Sequence, residues 1–221
     1  MFGLDDHIAS LSNGGSILVV LLVATLLGLR HATDPDHIAA VTTLVASGRE
    51  RARRRAMALG AWWGAGHALT LVLFGVPILL FEAYLPDVVQ RGAETAVAAL
   101  IVFLAVRLLV RHRHRHDHAR HEVRTPLAAF GIGLVHGLGG SAGVGVLLLA
   151  AIPSAALAVT SLVVLALFTA VSMTMVTTGF GTALAAQQGR VAAAAPALGV
   201  ASLAFGVWYA AAAWSLLSYP F

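Results

Sequence analysis

The sequence has no cysteine, no lysine and little charge of either sign. Without cysteine there is no disulfide framework and no thiol chemistry. Without lysine there is no G-x-x-x-x-G-K phosphate loop, so a nucleotide-driven pump built on that motif is excluded. An H-E-x-x-H zinc helix is also missing. Charged residues make up 11% of the chain, against about 25% in an average soluble domain. That scarcity excludes a water-soluble globule and a disordered chain.

What is present is apolar. Hydrophobic residues make up 59% of the 221, and the mean hydropathy is +0.86. A membrane crossing needs roughly 20 mostly apolar residues. Six runs qualify: Gly15–Ala46, Met57–Phe81, Ala93–Val110, Leu127–Ile152, Ala155–Gly181 and Val191–Leu217. The expected fold is an all-α integral membrane protein of about six transmembrane helices in one domain, 1–221. Its parts are a three-helix half over 1–110, a His/Arg-rich loop over 111–125 and a second three-helix half over 126–221. The first run is too long for one straight crossing, since 32 residues reach ~48 Å at the helical rise. It also contains Pro35, which removes a helical hydrogen bond. A long first helix broken near Pro35 is expected.

All 14 cations are arginine, and all but Arg30 and Arg107 sit between the apolar runs. Arg49, Arg51, Arg53, Arg54 and Arg55 lie in the first connection, Arg107 to Arg124 around the third, and Arg190 in the fifth. The even connections hold only Arg91. By the positive-inside rule the odd connections are cytoplasmic and both termini face outward, as in a multi-pass protein of the cytoplasmic membrane. The arginine excess is then a topology signal, and nucleic acid is not an expected partner. The N-terminus offers Asp5, Asp6 and His7 but no cation, so it lacks the basic region of a signal peptide. The first run is expected to be retained.

Gly28-Leu29-Arg30-His31 recurs 105 residues later as Gly133-Leu134-Val135-His136. Each half would hold an odd number of spans, so the halves would be oppositely oriented. This 3+3 inverted repeat is a common transporter design, with the site where broken helices meet near mid-membrane.

The ionisable groups inside the runs are concentrated. Arg30, His31, Asp34, Asp36 and His37 fall in the first, His67 in the second and His136 in the fourth. Each Asp or Arg at a helix centre costs about 2.5–3.5 kcal/mol on insertion scales. A chain carries such groups only where they pair, face water or hold an ion. In an ideal helix His31, Asp34 and His37 share a stripe about 120° wide, with Asp36 turned away. A break at Pro35 would swing Asp36 inward and free nearby carbonyls as further oxygen ligands. Imidazoles with carboxylates suit Ni²⁺, Co²⁺ or Zn²⁺, whereas Mg²⁺ and Ca²⁺ take oxygen shells. Met173 and Met175 keep Cu⁺ in view. The plainer alternative is a packing cluster: an Arg30–Asp34 bridge at i,i+4, with histidine satisfying Asp36.

The run from Gly28 through His31-Ala32-Thr33-Asp34-Pro35-Asp36-His37 to Ile38 resembles the signature of the nickel/cobalt transporter family, a His, four residues, then Asp-His in an early membrane helix. Gly66-His67 is similar to that family's Gly-His segment one helix later. Gly137 to Ser141 stands where full-length members have an acidic, threonine-containing stretch, and the first helix of eight-helix members is missing. The likeness is nearest to the short six-helix branch, which includes urease-accessory-like membrane proteins and nickel/cobalt exporters. It implies that His31, Asp34, Asp36 and His37 form the selectivity site with His67 nearby. It also implies that Ni²⁺ or Co²⁺ is the transported substrate, with no prosthetic group and no enzymatic activity.

His136, Ser141 and Ser172 are candidates for a second-half pathway. His112, His114, His116, His118 and His121 are candidates for loop metal binding, with a cytoplasmic metallochaperone as a candidate partner. The competing functions are a membrane metalloenzyme and a non-transporting metallochaperone or maturation partner.

Overall fold

The computed structural model describes residues 17–45, 52–81, 86–113, 125–139, 146, 149–186 and 188–218. Its helices are α1 (Ile17–His31), α2 (Pro35–Val45), α3 (Ala52–Phe81), α4 (Asp87–Arg113), α5 (Pro126–His136), α6 (Ala155–Ala186) and α7 (Gln188–Ala213). There is no strand among the described residues. Nor is one expected, because apolar runs without water must satisfy every backbone group internally.

Helices α3, α4, α6 and α7 are each long and apolar enough to cross a bilayer. Helices α1 and α2 form a further candidate as a broken pair bent by 46°. The protein is a multi-pass, all-α integral membrane protein. Helix α5 is apolar but only 11 residues long. The remainder of the fourth expected run is described only at 137–139, 146 and 149–152.

The break in the first run follows from local chemistry. Pro35 has no N–H and opens α2, where a missing donor is harmless. Before it the chain tightens: Thr33 N donates to Arg30 O at 2.8 Å and Asp34 N to His31 O at 3.1 Å. Thr33 Oγ1 adds a 2.6 Å bond to Arg30 O. Asp34 O then accepts from Ile38 N at 3.0 Å, so Asp34 is the residue on which α2 starts. The carbonyls expected to be freed for an ion are therefore engaged. Arg30 O and His31 O accept within the turn, and Leu29 O accepts from Ser172 Oγ at 2.5 Å.

Glycines set the crossings. A Cβ at Gly133 would collide with Trp63 O of α3, and one at Gly66 with Phe130 O of α5. A Cβ at Gly28 would lie 2.5 Å from Leu165 O of α6. Gly60 and Gly64, one turn apart, meet Thr174, Thr177 and Ala170 of α6. Small residues let membrane helices approach until backbones touch. Helix α1 therefore lies on α6, α5 on α3, α3 on α6 and α4 on α7. An apolar core between α1, α3 and α6 includes Leu27, Leu71, Leu162 and Leu165. Leu18, Leu73, Phe81, Leu127 and Leu167 are exposed, as lipid-facing side chains should be.

Helix α7 ends at Ala213, short of the expected Leu217. Ser215 takes a left-handed conformation at φ 58°, and Leu216 N returns to Ala211 O at 3.0 Å. That closing motif stops the helix, and Trp214 Nε1 donates to Thr95 Oγ1 of α4 at 3.1 Å.

Candidate metal centre

The chain's approach to Pro35 places His31 on the last turn of α1, and Asp36 and His37 on the first turn of α2. Helix α3 brings His67 because Gly66 lets it press against α5, and α5 contributes His136 at its last residue. Asp36, His37 and His67 are wholly buried, and His31, Asp34 and His136 nearly so.

Two groups of ligand-bearing atoms converge. His31, His37 and His67 each place one ligand atom within 4.8 Å of the other two, and so do Asp36, His37 and His136. His37 belongs to both. Its ring centroid lies 4.7 Å from that of His31, 5.1 Å from His67 and 4.5 Å from His136.

The hydrogen bonds orient the rings. Asp36 Oδ1 lies 3.1 Å from His37 Nδ1, and Asp36 Oδ2 lies 3.1 Å from His136 Nε2. An ionised carboxylate only accepts, so each of those nitrogens carries the proton. His37 Nε2 and His136 Nδ1 then hold the lone pairs, and both are buried with no hydrogen-bond partner. Asp34 Oδ2 sits 3.2 Å from His31 Nδ1 and orients that ring in the same way. His31 Nε2 and His67 Nε2 are 3.0 Å apart, close enough for one ring to donate to the other, and His67 Nδ1 is buried with no hydrogen-bond partner. Carboxylates that hold the far nitrogen of a histidine are the usual outer support of a metal site, fixing tautomer and raising basicity.

The packing alternative is partly visible too. Arg30 Nη2 is 3.4 Å from Asp34 Oδ1, and histidines do satisfy Asp36. Packing alone gives no reason for buried imidazole nitrogens without partners, because an unmade hydrogen bond at depth costs about 1–3 kcal/mol.

The remaining sequence candidates are distributed differently. Ser172 is buried, but its hydroxyl ties α6 to Leu29 O rather than facing the imidazoles. Met173 is wholly buried while Met175 is exposed, so the two thioethers do not share a site. Thr174 and Thr178 bond back to their own helix, at 2.8 and 2.6 Å. Ser141 and the side chains of His112, His114, His116, His118 and His121 lie outside the described residues.

Trp63 was not singled out from sequence. Its buried ring stands edge-on to His136 at 5.7 Å and tilted against His37 at 5.7 Å. The available signal was its i,i+4 spacing to His67, which puts both on one face of α3. The spacing of Gly139-Gly140-Ser141-Ala142-Gly143 also fits a hydrolase nucleophile elbow, but that elbow needs a strand leading into a helix. All of that stretch but Gly139 lies outside the described residues.

Comparison with known proteins identifies the family. The family described as high-affinity nickel-transport protein matches residues 17–126, about half of the chain. The chain belongs to the nickel/cobalt transporter family. The matched segment contains α1 to α4, and with them His31, Asp34, Asp36, His37 and His67. A urease accessory protein, UreH of Bacillus sp. (strain TB-90), is 28% identical over 139 residues, which are 57% of this chain and 60% of that protein. The alignment thus spans less than two thirds of the relative's length. No solved structure matches the chain.

Proposed function

We propose that this family member carries Ni²⁺ or Co²⁺ across the cytoplasmic membrane, taking the dehydrated ion at His31, His37 and His67. Asp34 and Asp36 support the site from behind as hydrogen-bond acceptors. The observation that carries this reading is the convergence of three buried imidazoles within 4.8 Å, two of them with nitrogens lacking any hydrogen-bond partner. With metal–nitrogen bonds of about 2.05 Å, two ligands at right angles sit about 2.9 Å apart and at the tetrahedral angle about 3.3 Å. His31 Nε2 and His67 Nε2, 3.0 Å apart, fall in that range, so one ion can take both when it replaces the hydrogen bond between them.

The site works by substitution. A dication gives up its water to neutral imidazoles while the carboxylates compensate its charge. The membrane potential supplies ~4.6 kcal/mol per 100 mV for two charges moving inward. Ligands drawn from α1, α2 and α3 allow relative motion of those helices to open and close the set.

The test is metal flux into proteoliposomes containing only this chain. Wild type should accumulate Ni²⁺ or Co²⁺, while His37→Ala and Asp36→Asn insert and do not transport. Full-rate transport by both variants would end the assignment. A second reading, a non-transporting maturation partner, is favoured only by the urease accessory relative. It predicts metal binding with no flux. Removal of His112, His114, His116, His118 and His121 should change delivery to a cytoplasmic acceptor more than the transport step.

A further inference from the structure

His37 is shared by two ligand groups, and a neutral imidazole has only one lone pair. We infer that Asp36, His37 and His136 form a second ion site, loaded in alternation with the first, so that His37 passes a divalent transition-metal ion between the two. The inference rests on the transport reading and deepens it.

The two groups differ in their partners. The first gathers α1, α2 and α3, whereas the second joins α2 to α5 through Asp36 and His136. An ion moving between them leaves ligands of the first half for one supplied by the second. Asp36 places an oxygen 3.1 Å from each of the two rings, so a cation between those atoms has a carboxylate and two nitrogens to hand. That mixed set suits the same borderline dications.

The protons balance without any being released. With the ion in the first group, His37 Nδ1–H and His136 Nε2–H both donate to Asp36. With the ion in the second group, those two nitrogens bind metal; water admitted as the site opens takes their protons and returns one each to His37 Nε2 and His136 Nδ1, with no net release. Both receiving nitrogens are buried and have no hydrogen-bond partner. Trp63 packs against the rings of both His37 and His136. Because one ring serves both groups, the chain holds one ion at a time.

The experiment uses the full-length chain in detergent and in proteoliposomes, with Co²⁺ and Ni²⁺ as probes. Wild type should bind one ion per chain. In His136→Gln the amide can still donate to Asp36. It should bind one ion with affinity within about threefold of wild type, yet transport at least tenfold more slowly. Retained metal-dependent thermal stabilisation would show that this variant is folded. The double variant His31→Asn/His67→Asn removes the first group and should bind one ion more weakly, and adding His136→Gln should abolish that binding. Two ions bound at once to wild type, wild-type flux in His136→Gln, or no binding by the double variant would each overturn the inference while leaving the transport reading in place. A wild-type chain that binds no Ni²⁺ or Co²⁺ would sink both.

Discussion

Two segments 105 residues apart, Gly28-Leu29-Arg30-His31 and Gly133-Leu134-Val135-His136, do the same mechanical work and different chemistry. Each glycine meets the backbone of a neighbouring helix, α6 for Gly28 and α3 for Gly133. Each leucine carbonyl accepts a hydroxyl from that same neighbour, Ser172 for Leu29 and Thr70 for Leu134. Each histidine is buried at a helix end and followed by a turn. The likeness of the two segments thus extends from their residues to their contacts. After the turn the segments part. The first continues into Asp34, Pro35, Asp36 and His37, while the described part of the second adds only Gly137, Leu138 and Gly139. The shared elements are those that place a histidine at a helix end. The carboxylates are confined to one side, since the sequence has no Asp or Glu after Glu122.

The comparison can be broken hardest at the carboxylates. Asp36→Asn removes the acceptor common to His37 and His136, and outer-shell losses of this kind lower metal affinity about 10–100-fold. Titration with Ni²⁺ should show that drop, and an unchanged affinity would refute the supporting role of Asp36. Next come the two crossings. Gly28→Leu and Gly133→Leu each force a side chain into backbone carbonyls that cannot withdraw, with a cost of about 1–3 kcal/mol or more. Thermal melts should show comparable losses for the two, and a tolerated Gly133→Leu would separate the segments.

Bound metal gives an effect of similar size and opposite sign. Ni²⁺ at 100 times its dissociation constant should stabilise wild type by about 2.7 kcal/mol. The His31→Asn/His67→Asn variant should gain much less at the same concentration, whereas equal gains would mean that the imidazoles are not the binding site. The smallest effect is at the hydroxyls. Ser172→Ala and Thr70→Val each remove an interhelical hydrogen bond, worth about 0.6 kcal/mol and at most about 1.7 inside a bilayer. Similar small losses would sharpen the parallel, and a large effect from one alone would show that it does more than tie helices.

Much of this was legible in the chain. Apolar runs report membrane helices because only internally bonded backbone survives in lipid. The break after His31 follows from Pro35, and the cost of buried charge marks the first run as chemical. The family signature pointed to His31, Asp34, Asp36, His37 and His67 together. Geometry was less legible. An ideal helix turns Asp36 away from Asp34, and only the turn at 32–34 brings it inward. The same turn engages the Arg30 and His31 carbonyls that had been expected to face an ion. Trp63 carries no mark in sequence beyond its spacing to His67.

The sequence by itself determined the medium, the helices, the broken first run and the kinds of ligand, because those depend on residue type and local spacing. Tertiary structure alone decided that His136, 100 residues from Asp36, shares its carboxylate, and that His37 stands between two groups of ligands. That meeting depends on two glycines allowing α3 and α5 to touch, a contact between distant segments that no local pattern encodes.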